Sequence, residues 1–225
     1  MVTAASETPT SNRAEPLCTA LRRGMPRESA AAALARRQAL AVSESETLIR
    51  PVAAHRVLPA RAADGETLEV NGFTLRVPAF APDAGKITAV AAAACTIGPD
   101  LERRVRELFT AHRPSVALAL DRLGTQALFR LSDQTLAAIR REAKGQGLVL
   151  GAQANPGDAG IGFEQQAAVL ALAGAEASGI ALTRLGMLSP EKSVSFLVAL
   201  GPDLKGHVYS GRCARCPARE RCPLR

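Results

Sequence analysis

Apolar and polar residues alternate on both sides of Asn71-Gly72, through Thr67-Leu-Glu-Val before it and Phe73-Thr-Leu-Arg-Val after it. A period of two flanking Asn-Gly predicts a β-hairpin, because both residues accept the positive φ angles of a tight two-residue turn. Residues 27–48 are Ala-rich, carry good helix formers and predict a helix. Residues 56–61 read as extended, ending near Pro59. The apolar run at 86–95 fits a buried strand by its length and its Val and Ile content, although its consecutive alanines fit a helix as well.

Gly98-Pro99 then starts a helix, with Pro at the first helical position, where its missing N–H costs nothing. Asp100 and Glu102 complement the positive end of the helix dipole. Leu101, Val105, Leu108 and Phe109 follow at helical spacing. A second, long helix is expected over 115–144, with Gly124 or Ser132 as places for a break and Gly145 and Gly147 as its end. After it come a short strand at 148–150, a Gly-rich loop at 151–162, an amphipathic helix at 162–174, and strands at 180–183 and 193–200. The pattern stops at Gly201-Pro202. Strands mix with helices without strict βαβ alternation, which predicts an α+β fold rather than a doubly wound sheet. The chain divides into a disordered arm (1–25), one folded domain (26–205) and a small cysteine-rich unit (206–225).

Composition narrows the function. At 47% hydrophobic, 225 residues can bury a sizeable core, and no apolar run approaches the ~18 residues that span a bilayer. A partner membrane is therefore not expected. Six Phe, one Tyr and no Trp supply few stacking faces, which argues against a nucleic-acid partner. The formal charge of +7 is concentrated at the C-terminus, where residues 212–225 hold five Arg against Glu220. Such an end can dock an acidic partner. The first 25 residues lack the apolar core of a secretory signal, so a cytoplasmic location is expected, with the five cysteines kept reduced.

Three of those cysteines carry the clearest chemistry. Cys213, Cys216 and Cys222 give C-x2-C-x5-C, in which two thiolates from one turn grip a centre and a third returns to complete a face. Neighbouring Arg side chains favour the thiolate. A fourth ligand would be His207, in H-x5-C-x2-C-x5-C, or Cys95, or Cys18. The spacing and the prolines after Cys216 and Cys222 point to an iron–sulfur cluster, with zinc as the alternative. Cys95 also reads as a plain core thiol, and His55 and His112 as ordinary residues. No GxGxxG, Walker loop, HExxH or GxSxG occurs.

Four segments in order resemble the reactivation domain of cobalamin-dependent methionine synthase, and more closely the stand-alone activation-domain-like proteins of corrinoid systems. They are Ala94-Cys-Thr-Ile-Gly-Pro-Asp-Leu-Glu102, Ala119-Leu-Asp-Arg-Leu-Gly-Thr-Gln-Ala127, Asn155-Pro-Gly-Asp-Ala-Gly-Ile-Gly-Phe-Glu-Gln-Gln166 and Gly179-Ile-Ala-Leu-Thr-Arg-Leu-Gly-Met-Leu-Ser-Pro-Glu-Lys-Ser-Val-Ser195. The resemblance implies a curved antiparallel sheet with flanking helices. It implies an accessory role in reductive reactivation of a corrinoid enzyme, with a corrinoid-binding protein or methionine synthase core as partner and a reduced ferredoxin or flavodoxin-type donor. The partner's cobalamin would be reduced from cob(II) to cob(I), which needs a very low-potential electron; iron–sulfur clusters reach roughly −700 mV. In the family a Pro-Gly loop binds S-adenosylmethionine, and the matching residues are Gln153, Asn155, Pro156, Gly157 and Asp158. The family has Arg where Gln153 stands and Tyr where Asp158 stands. An Arg would grip a carboxylate through its planar fork; Gln153 has no charge to match it, and Asp158 suits an amino or sulfonium group instead. Two other readings are a nucleic-acid-associated module with an iron–sulfur or zinc tail, and a small-molecule binder held by a structural zinc tail.

Overall fold

The structure, a computed structural model, describes residues 29–158 and 161–204. In chain order the elements are α1 (Ala30–Ser45), β1 (Val52–Ala62), β2 (Thr67–Val70), β3 (Phe73–Arg76), β4 (Ala89–Thr96), α2 (Asp100–Thr110), α3 (Pro114–Gly145), β5 (Val149–Ala154), α4 (Gln166–Ala173), β6 (Ala181–Leu182), β7 (Leu188–Ser189) and β8 (Ser193–Gly201). Short 3-10 segments lie at Pro78–Lys86, Phe163–Gln165 and Ala175–Ser178. Six strands form one antiparallel sheet in the order β3-β2-β1-β4-β8-β5, and β6 and β7 pair separately. The class is α+β with flanking helices, as the mixed pattern implies. No helix among the described residues is long and apolar enough to cross a membrane.

The sheet is covered on both faces at its centre, and β4 shows how. Its eight residues are all buried. Ala89, Ala91, Ala93 and Cys95 pack into one apolar cluster with residues of α1, α2 and α3. Val90, Ala92 and Ala94 pack into a second cluster with α4 and the β2–β3 hairpin. β8 divides its side chains in the same way, Phe196, Val198 and Leu200 against Leu197 and Ala199. A strand buried on both faces reads as a continuous apolar run rather than an alternation. Small alanines allow the covering helices to come close.

At the hairpin, Asn71 has φ 46° and Gly72 φ 82°, so both central turn residues take the left-handed region that the sequence pattern requires. β1 is longer than the extended segment expected at 56–61. Val52 to Pro59 pair with β4, and Ala60 to Ala62 pair with β2 on the other edge. α1 is shorter than 27–48 because the Ser29 side chain accepts from the Ala32 N–H at 3.2 Å and fixes the start. α2 begins at Asp100, with Pro99 as its N-cap rather than its first residue.

α3 runs unbroken from Pro114 to Gly145, so neither Gly124 nor Ser132 interrupts it. The glycine answers a packing need. A Cβ there would stand 2.7 Å from Leu101 Cδ2 and 3.3 Å from Ile97 Cδ1. Its missing side chain lets α3 lie directly on α2. Gly147, at φ 71°, then turns the chain out of the helix.

Candidate functional site

β5 is an edge strand, and it carries the loop that follows. Leu150 pairs with Leu200 but Gln153 with Val198, so one extra residue separates the two pairs and makes a β-bulge. Cross-strand partners share a face. The bulge therefore returns Gln153 to the sheet face that carries Leu150 and Val198, towards α3.

The loop closes on itself. Gln153 Nε2 donates to Asn155 Oδ1 at 2.9 Å, and Asn155 Nδ2 donates to Asp158 Oδ2 at 2.9 Å. The Asp158 N–H donates to the Asn155 carbonyl, the Gly157 N–H to the Ile161 carbonyl, and the Ile161 N–H to the Asp158 carbonyl. Gly157 has φ 94°, a turn conformation that a side chain would strain. Gln153, Asn155 and Pro156 are half-buried, while Gly157 and Asp158 are exposed. The structure thus brings Gln153, Asn155, Pro156, Gly157 and Asp158 together in one small unit. Among the described residues, Gln153 Oε1 is buried there with no hydrogen-bond partner.

Phe163 adds an aromatic wall. A Cβ on Gly157 would lie 3.5 Å from its ring, and one on Gly186 would lie 3.0 Å from it. Two glycine backbones, one from the loop and one from the β6–β7 turn, therefore approach this ring. Phe163 is 39% exposed, and Leu185 and Met187 on the turn are 84% and 56% exposed. The sequence pattern gives Phe163 only as a helix opener. The signal for more was the apolar Leu185 and Met187 around Gly186, a turn position that polar residues usually fill.

The metal candidates separate. Cys213, Cys216, Cys222 and His207 lie outside the described residues, as do Cys18 and the 1–25 arm. Cys95 is fully buried on β4, and its Sγ lies 3.3 Å from Thr135 Oγ1 on α3, which in turn donates to the Leu131 carbonyl. A metal at that sulfur would have to part α3 from the sheet. Among the described residues no three His, Cys, Asp or Glu side chains converge on a metal-sized site. His55 Nε2 meets Glu142 Oε2 at 3.0 Å and ties β1 to α3.

The sequence matches no protein family. No curated protein matches it either. The fold is similar to that of a solved MetH reactivation domain bound to AdoHcy, with a TM-score of 0.61 and 15% sequence identity. That alignment covers 76% of this chain and 64% of the solved one, so it spans a little under two thirds of the neighbour's length. At such low identity, what the two chains share is an architecture.

Proposed function

We propose that this protein serves a corrinoid methyltransferase as an accessory for reductive reactivation, its partner being a methionine synthase core without a reactivation domain of its own. The observation that carries the reading is the fold shared with the MetH reactivation domain over 76% of the chain. The solved neighbour holds AdoHcy, which supports a nucleoside-binding role for the loop at 153–158 and its Phe163 wall. Gln153, Asn155, Pro156, Gly157 and Asp158 are the residues proposed to meet such a ligand. The exposed Leu185 and Met187, which flank the Gly186 that meets Phe163, give an apolar surface for a second protein.

The cysteine unit at 206–225 is proposed to hold an iron–sulfur cluster through Cys213, Cys216 and Cys222, with His207 as the fourth ligand. A cluster there would pass one electron at a time from a reduced ferredoxin or flavodoxin-type donor to the partner's cobalamin. Thiolate donors suit both iron–sulfur and zinc, and only the former carries electrons. Protein isolated without air, assayed for iron and sulfide and examined by EPR, tests this half. Iron and sulfide with a reducible signal are expected. Stoichiometric zinc in a colourless protein overturns the relay. Sedimentation of the full chain with a cobalamin-loaded corrinoid domain tests the docking half: a complex is expected, and two independent boundaries at tens of micromolar overturn it.

A further inference from the structure

The donors and acceptors of the 153–158 loop are unequally spent. Asp158 is the fixed end of the side-chain relay, since a carboxylate oxygen only accepts. Asn155 must therefore turn its Nδ2 to Asp158, which leaves its Oδ1 to accept from Gln153 Nε2. The amide of Gln153 is oriented in turn, and it leaves a carbonyl oxygen, Oε1, buried without a partner among the described residues. The backbone repeats the asymmetry. Pro156 has no N–H, and Gly157 and Asp158 give theirs to carbonyls inside the loop. Loops that bind anions point N–H groups outward, and these two are turned inward.

Charge and π-density run the same way. From Gln153 to Gln166 the charged residues are Asp158 and Glu164, both acidic, in a protein whose overall charge is +7. The half-exposed ring of Phe163 stands beside Gly157. An aromatic face attracts cations, and more strongly where water is partly excluded.

We propose that this loop selects a ligand group that is cationic and rich in N–H donors, an ammonium, and discriminates against a carboxylate. The inference rests on the loop being a ligand site, as proposed above, and specifies the chemistry of what it takes. An unpaired buried acceptor is satisfied by a donor and made worse by another acceptor. A carboxylate would also face Asp158 across the loop, a like-charge contact that opposes binding.

The test is calorimetric titration of the full chain with two probes that differ in one group, S-adenosylmethionine and its decarboxylated form. Both carry the sulfonium and the ammonium, and only the first has the carboxylate. The decarboxylated probe is expected to bind at least about tenfold more tightly. Gln153→Arg, which supplies a bidentate cationic fork, is expected to reverse the order, and Asp158→Asn to narrow the gap. Equal or tighter binding of S-adenosylmethionine to the natural chain overturns the inference and leaves the loop as a nucleoside site. Heat from neither probe at millimolar concentration overturns both.

Discussion

Gly124 of α3 rests on Leu101 of α2 so closely that a Cβ on the glycine would stand 2.7 Å from Leu101 Cδ2. Leu101 is fully buried, and its Cδ1 and Ile97 Cδ1 lie 3.2 and 3.3 Å from the same point. Gly124→Ala is thus expected to destabilise the fold by about 1–3 kcal/mol through overpacking, more than the roughly 1 kcal/mol that alanine gains in helix propensity. Thermal unfolding reads the balance. An unchanged or raised Tm would mean that α2 and α3 slide apart at little cost.

Ser195 sits on β8 opposite Ala94, 3% exposed, and its Oγ has no hydrogen-bond partner among the described residues. Burying an unpaired hydroxyl costs on the order of 1–3 kcal/mol, and removing it is nearly neutral or stabilising. Ser195→Ala is expected to raise the denaturation midpoint without changing the slope of the transition. A loss of stability above about 1 kcal/mol would show that the hydroxyl has a partner in solution.

Asp64 turns the chain between β1 and β2. Its carboxylate accepts from the Glu66 N–H at 2.8 Å and the Thr67 N–H at 2.7 Å. The Glu66 bond first, then Thr67, holds this carboxyl below its ordinary value of 3.8. A carboxyl depressed by folding stabilises the protein above its unfolded pKa, and the contribution is lost as pH falls through the folded one. Denaturation midpoints followed from neutral into acid should fall less steeply in Asp64→Asn than in the natural protein. Parallel curves would contradict the turn's role.

Cys95 and the C-terminal cysteines are expected to behave as two classes of thiol. Enclosed between β4 and Thr135, Cys95 should resist a thiol reagent until the domain unfolds. In the full chain, Cys95→Ala should leave the metal content unchanged, whereas His207→Ala should lower it. A drop in metal on losing Cys95 would reassign the fourth ligand to the core and require the α3–β4 contact to open.

The legible parts of this fold are those fixed by local chemistry. Asn71-Gly72 names its own turn, because few other residues tolerate positive φ twice in succession. The strand at Ala89–Thr96 is readable from its length and its apolar content, but its burial on two faces is not, since alanine marks a close approach without saying to what. Gly124 misleads for the same reason: a helix-breaking residue and a helix-packing residue are one letter, and only Leu101 across the contact distinguishes them. The site divides likewise. Pro156-Gly157 marks a loop in sequence. The β-bulge that sets the face of Gln153, and the relay that fixes which way its amide points, depend on β8 and on Asp158 and appear only in three dimensions. Phe163 gains its place beside the loop from Gly186, more than twenty residues on.

Reductive methylation of a corrinoid decides most directly whether this chain is a reactivation accessory. A methionine synthase core lacking its own reactivation domain, held as cob(II)alamin, is supplied with a low-potential donor and a sulfonium methyl donor, and loss of the cob(II) EPR signal is timed. The natural chain should accelerate that loss in a saturable manner, and a chain with Cys213, Cys216 and Cys222 replaced by Ser should not. A decay rate indifferent to the chain at every concentration would contradict the proposed role.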